Sequence, residues 1–72
     1  MNDFTGDAYR ELLISTLSSE PIYVLQWASL GERKLPHLES YFRHVLKSSN
    51  KAETAISLVN FMSDSDLAHL GY

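Results

Sequence analysis

The chain has 72 residues, and its nine acidic residues outnumber its six lysines and arginines, so its formal net charge is -3 at pH 7. This length favours a single domain over residues 1–72, and the acidic total argues against a protein that binds nucleic acid over its whole surface. The chain contains no cysteine, which excludes disulfides and thiolate metal sites and favours a cytoplasmic location.

Apolar residues spaced three and four apart predict four helical segments, and therefore an all-α fold. We expect a small bundle of four short helices, followed by a short capped helical turn at the C-terminal end. The first helix runs from about residue 6 to residue 18. Thr5 is a suitable N-cap for this helix, and Phe4 can pack against Tyr9 as a hydrophobic staple.

The second helix follows the motif SSEP, with Pro21 in its first turn and Gly31 as its natural stop. Its sequence IYVLQWASL is apolar nearly all round. One face carries Ile22, Leu25 and Ser29, and another carries Tyr23, Trp27 and Leu30. A helix without a polar face is covered on several sides, which favours a central core helix. The alternative is that Tyr23 and Trp27 form an aromatic patch on an interface, because such residues are enriched at binding hot spots.

The third helix begins near Leu35 or Pro36 and runs to about Lys47. Its apolar stripe consists of Leu38, Tyr41, Phe42, Val45 and Leu46. The opposite stripe, at steps of four and three residues, consists of Arg33, His37, Ser40, His44, Lys47 and Lys51. Residues 33–51 contain five lysines and arginines and one acid, so this segment carries +4 and the rest of the chain carries -7. We therefore predict an electrically polarised protein.

Three interpretations of the basic segment remain open: a solvated helix face, a docking site for an acidic protein surface, and a site for RNA or DNA phosphates. We favour a non-enzymatic regulatory or adaptor protein that docks on a larger protein, and its expected protein-binding residues are Tyr23, Trp27, Arg33, His37, Arg43, His44 and Lys47. Nucleic-acid binding would instead use Arg33, Lys34, Arg43, His44, Lys47 and Lys51. A structural homo-oligomer, in which the second helix packs against its twin, is the other alternative.

The fourth helix, KAETAISLVNFM, is followed at once by a second helix start. Ser63 is a suitable N-cap, and Asp66 three residues later forms an imperfect capping box with it. Gly71 is expected to end this short helix in a left-handed conformation, with Tyr72 folded onto Leu67. Because so short a helix is unstable alone, it must rest on the other helices. The expected core consists of Leu12, Leu13, Leu17, Ile22, Leu25, Leu38, Phe42, Val45, Ile56, Val59 and Leu67.

This last segment, MSDSDLAHLGY, resembles the C-terminal motif of the YjiS-like family of small bacterial proteins. The matching residues are Met62, Ser63, Asp64, Leu67, Leu70 and Gly71, within 11 of the 72 residues. The resemblance implies a bacterial origin and a small regulatory role. That family is associated with RNA binding through an arginine-rich helix before the motif, whereas the helix before it here carries only Lys51 as a cation.

Motifs for catalysis, metal binding and membrane insertion are absent from the sequence. It has no glycine-rich phosphate loop, nucleophile elbow or HExxH motif, so we expect neither an enzyme nor a cofactor. His37 and His44 would lie about 10 Å apart along a helix, which is too far for one zinc ion, so no metal site is expected. No apolar run approaches the roughly 20 residues of a membrane span, and the N-terminal residues are acidic where a secretory signal is basic.

Overall fold

A computed structural model describes residues 6–71, which form five α-helices joined by short turns. The helices are α1 (Gly6–Ser19), α2 (Pro21–Lys34), α3 (Glu39–Lys47), α4 (Lys51–Phe61) and α5 (Asp64–Gly71), and a 3-10 turn (Pro36–Leu38) leads into α3. These described residues contain no strand, so the all-α prediction is confirmed. The predicted Thr5 cap, the staple by Phe4 and the contact of Tyr72 lie outside the described residues.

Helix α2 is the centre of the packing, because it contacts α1, α3, α4 and α5. Its buried side carries Val24, Trp27, Ala28 and Gly31. The predicted stop at Gly31 is wrong, since α2 continues to Lys34. The glycine instead allows close packing: a Cβ atom at this position would lie 2.3 Å from the ring of Phe42 in α3. The sequence signal that indicated a helix end therefore marks a helix crossing.

Most of the predicted core residues are buried, but the predicted inward side of α2 is wrong, and so is the prediction that Leu12 in α1 faces the core. The confirmed core residues are Leu17, Leu38, Phe42, Val45, Val59 and Leu67, and Leu13 and Ile56 are half-buried. Leu12, Ile22 and Leu25 are exposed, which corrects the prediction for these three residues. A helix that is apolar all round gives no periodic signal for its inward side, and in α2 that side is centred on Val24 and Ala28.

Arg10 joins α1 to the junction between α4 and α5. Its Nε donates a hydrogen bond to the carbonyl oxygen of Val59 at 3.2 Å, and its Nη2 donates to the carbonyl oxygen of Met62. Its Nη1 lies 2.6 Å from the Asp64 carboxylate in the first turn of α5. Carbonyl groups at a helix C-terminus have no partner within the helix. One guanidinium therefore supplies the donors that end α4 and the cation that pairs with the start of α5.

Side-chain caps specify the starts of the last two helices. Asn50 Oδ1 accepts the backbone N–H of Glu53 at the start of α4. Ser63 Oγ accepts the backbone N–H of Asp66 at 3.1 Å, so the predicted cap of the terminal helix is confirmed. The Asp66 carboxylate lies 3.3 Å from His37 Nε2, and this contact replaces the second half of the predicted capping box. Gly71, which is predicted to stop this short helix, is itself part of α5.

Candidate protein-binding surface

The predicted basic stripe is divided among several elements. Arg33 and the neighbouring Lys34 lie at the end of α2, and His37 lies in the 3-10 turn. Lys51 begins α4 and donates a hydrogen bond from its Nζ to the Ser48 carbonyl oxygen at 3.0 Å. Within α3, the stripe consists of Ser40, His44 and Lys47, all exposed. The predicted stripe is therefore not one continuous face of a single helix.

Arg43 is held between two carboxylates. Its Nε lies 2.6 Å from Glu32 at the end of α2, and its Nη2 lies 2.7 Å from Glu39, one turn earlier in α3. The hydrogen bond with Glu32, together with the attraction of Glu39 and Glu32, raises the pKa of Arg43 above its ordinary value. Arg43 therefore links α2 to α3, and much of its charge is balanced within the protein.

The predicted aromatic patch at Tyr23 and Trp27 is not on the surface as a unit. Trp27 is only 8% exposed, and its ring packs edge-to-face on Phe42 with the ring centroids 5.2 Å apart. The alternative that places Trp27 in an exposed patch is therefore wrong, and the favoured interpretation of a core residue is confirmed for Trp27. The reason is that Trp27 shares the inward side of α2 with Val24 and Ala28. Tyr23 is exposed.

A different pair of aromatic residues is exposed between α3 and α4. Tyr41 is 49% exposed and Phe61 is 63% exposed. Their rings contact each other, with centroids 5.3 Å apart and an angle of 37° between the ring planes. The two residues are 20 positions apart in the chain, so only the packing of α3 against α4 brings them together.

These two rings border a groove of about 400 Å³, which we call the α3–α4 groove. It is lined by Tyr41, His44, Val45, Glu53, Thr54, Ser57, Leu58 and Phe61. Val45 and Leu58 are buried and form an apolar floor, whereas His44 and Glu53 place polar groups at its sides. A groove of this size can accept a large apolar side chain with polar groups beside it.

The apolar stripe predicted for the third helix includes Tyr41, but the predicted elements do not include this groove. The positions of residues along the fourth helix contain a signal for this groove. At about 100° per residue, Phe61 lies about 120° round α4 from the buried Ala55, and close in angle to Thr54 and Ser57. A bulky ring on the same helical side as small polar residues is a candidate for the edge of a groove rather than for the core.

Comparisons with protein-family models, with curated proteins and with solved structures found no match to this chain. Within residues 6–71, no three side chains of the His, Cys, Asp or Glu types are grouped so that they could hold a metal ion. None of the helices in that range is both long and apolar enough to cross a membrane.

Proposed function

We propose that this chain is a small non-enzymatic adaptor that docks on a larger protein through the α3–α4 groove. The observation that carries the proposal is the exposed contact between Tyr41 and Phe61 above the buried floor of Val45 and Leu58. Aromatic side chains that are already ordered by mutual contact lose little conformational entropy on binding, and such residues are enriched at binding hot spots. A partner side chain in the groove would cover both rings and the floor at once.

The partner that fits best is an amphipathic segment with one large apolar side chain and acidic residues beside it. The apolar side chain would occupy the groove, as in the binding of an amphipathic helix to a hydrophobic groove. The acidic residues would lie on the α3 side of the groove, facing His44 and Lys47, because Glu53 on the α4 side would repel them. Arg43 is exposed, but Glu32 and Glu39 balance much of its charge. We therefore expect Arg43 to attract the acidic partner less than an unpaired arginine would.

In this proposal the four longer helices form a bundle that fixes the relative positions of α3 and α4, with α5 packed against its central helix, α2. The proposal also includes a regulatory role in a bacterial cytoplasm. The bacterial origin and the regulatory role rest on the resemblance of residues 62–72 to the YjiS-like motif, and the cytoplasmic location rests on the lack of cysteine.

The test compares two surface substitutions of similar exposure, Phe61→Ser in the groove and Leu12→Ser on α1, whose native side chains are 63% and 66% exposed. Tagged wild-type protein and both variants are used to capture proteins from nuclease-treated bacterial lysate. The expected partner binds wild type and Leu12→Ser, and is lost with Phe61→Ser. With the purified partner, Phe61→Ser should raise the Kd by about tenfold or more, the size expected for loss of a hot-spot side chain. Thermal melting checks that both variants remain folded.

Two results would count against the proposal. A partner that is retained by Phe61→Ser and by a second variant, Tyr41→Ser, does not use the groove. Recovery of nucleic acid that is lost after nuclease treatment and with Lys47→Glu would favour the nucleic-acid alternative. That alternative also requires affinity to fall steeply with increasing salt, because phosphate contacts release bound counterions.

A further inference from the structure

The two ends of the α3–α4 groove differ in their chemistry. The α4 wall of the groove carries Glu53, Ser57 and Phe61 at steps of four residues, so these side chains follow one another along one side of the helix. At a rise of about 1.5 Å per residue, Glu53 lies about 12 Å along the helix axis from Phe61. The ring of Phe61 contacts Tyr41. The groove is therefore aromatic at one end and carries a carboxylate at the other.

The Glu53 carboxylate is held in place by Asn50. Asn50 Oδ1 accepts the backbone N–H of Glu53 at 3.4 Å, and Asn50 Nδ2 donates to Glu53 Oε1 at 3.0 Å. Glu53 is exposed, and within residues 6–71 no cation pairs with it. Lys51 donates instead to the Ser48 carbonyl oxygen. An ordered carboxylate of this kind can accept a cation from a partner without first losing an internal ion pair.

We propose that Glu53 fixes the orientation of the docked partner by pairing with a lysine or arginine on the partner helix. This cation lies seven residues from the apolar side chain that occupies the groove. The inference rests on the proposed docking function and specifies its partner. Residues seven apart in a helix are about 10.5 Å apart along the axis and about 20° apart round it, so both face the same surface. The remaining distance to the Glu53 carboxylate is within the reach of a long basic side chain.

The charges on the two walls of the groove complement such a partner. His44 and Lys47 lie on α3, whereas Glu53 lies on α4. The partner helix therefore presents its acidic residues towards α3 and its cation towards the start of α4. Turned end for end, the same helix would place its apolar side chain beside Glu53, which would lose water without gaining a cation. Glu53 therefore disfavours the reversed orientation as well as favouring the proposed one.

Selection from a library of random 16-residue peptides displayed on phage tests the pairing. Peptides that bind wild type are kept, and those that also bind Phe61→Ser are removed, because they do not use the groove. The remaining peptides should share a large apolar residue and a lysine or arginine seven positions from it. Selection with Glu53→Lys should replace that basic residue by aspartate or glutamate.

The outcomes of this selection separate the role of Glu53 from the docking proposal. A remaining set without a basic residue at this spacing, or the same basic preference with Glu53→Lys, would overturn the role of Glu53 and leave docking in the groove intact. If no peptide distinguishes wild type from Phe61→Ser, docking in the groove is itself refuted, and this inference fails with it.

A selected peptide, synthesised with a fluorescein label, gives the size of the effect by fluorescence anisotropy. Its Kd should rise about tenfold for Glu53→Lys, because attraction becomes repulsion. Glu11→Lys is the matched control, since Glu11 is exposed on α1, outside the groove, and the change in net charge is the same. This variant should leave the Kd within about twofold.

A charge swap completes the test. Replacing the basic residue of the peptide with glutamate should restore binding to Glu53→Lys, with a Kd within about threefold of the original pair. Glu53→Gln, which keeps an acceptor for Asn50 Nδ2, should raise the Kd of the original peptide about two- to fivefold, and it guards against a folding defect in Glu53→Lys. Equal weakening by Glu53→Lys and Glu11→Lys, or no recovery with the charge-reversed peptide, would refute the ion pair.

Discussion

Replacing Arg10 with methionine is expected to destabilise the protein strongly, although a single α1 side chain is changed. Methionine retains much of the aliphatic stem and removes every donor. The side chain is 18% exposed and makes three contacts, two with backbone carbonyls and one with Asp64. Leaving the partly buried carbonyls of Val59 and Met62 without these donors should cost about 1–1.5 kcal/mol each. The pair with Asp64, whose side chain is 58% exposed, should add less than about 1 kcal/mol.

The expected loss in the free energy of unfolding is therefore about 2–4 kcal/mol, which corresponds to a fall in Tm of roughly 10–25 °C for a chain of this size. Urea denaturation followed by circular dichroism measures it for wild type, Arg10→Met, Asp64→Asn and the double variant. Asp64→Asn should cost less than about 1 kcal/mol, and the coupling energy between the two sites should be similarly small. The carbonyl explanation fails if Arg10→Met is within about 0.5 kcal/mol of wild type, or if Asp64→Asn alone reproduces the loss.

Three further substitutions test the packing and the capping by the same denaturation measurement. Gly31→Ala should destabilise by about 1–3 kcal/mol despite the higher helix propensity of alanine, because its Cβ would collide with the buried ring of Phe42; a stabilised variant would contradict this. Ser63→Ala should cost about 1 kcal/mol, because the N–H of Asp66 loses its acceptor, and an unchanged midpoint would show that the cap contributes little. Trp27→Phe should change stability by less than about 1 kcal/mol, since the cavity cost is offset by removal of a buried indole N–H that has no hydrogen-bond partner; a loss above about 2 kcal/mol would be inconsistent with that offset.

Local signals in the sequence were sufficient for most of the helices. The start of α5 follows from Ser63 and its position relative to Asp66, and the structure contains the corresponding hydrogen bond. The inward side of α3 follows from Phe42 and Val45, because charged and polar residues occupy the opposite side of that helix. In both cases the information lies within a few neighbouring residues, so no knowledge of the other helices is needed.

The errors occur where the outcome depends on a second helix. Gly31 has the sequence properties of a helix stop, but the position of Phe42 makes it a site of close approach. Arg10 reaches the end of α4, 49 residues away from it in the chain, and no pattern within α1 indicates this contact. The Tyr41 and Phe61 contact has the same origin. A periodic pattern assigns a side chain to one side of its own helix, and it contains no information about which helix lies on that side.

The arrangement of charges affects how the proposed docking should depend on salt. The sequence predicts one basic segment of net charge +4, but in the structure Arg43 is balanced by carboxylates and Lys51 is bonded to a backbone carbonyl. Lys47 lies on α3, whereas Arg33 and Lys34 lie at the end of α2. Long-range attraction of an acidic partner should therefore be modest, and most of the affinity should come from covering the aromatic pair. We expect salt to slow association by a few fold while changing dissociation little, because contacts that exclude water are screened less than exposed charges.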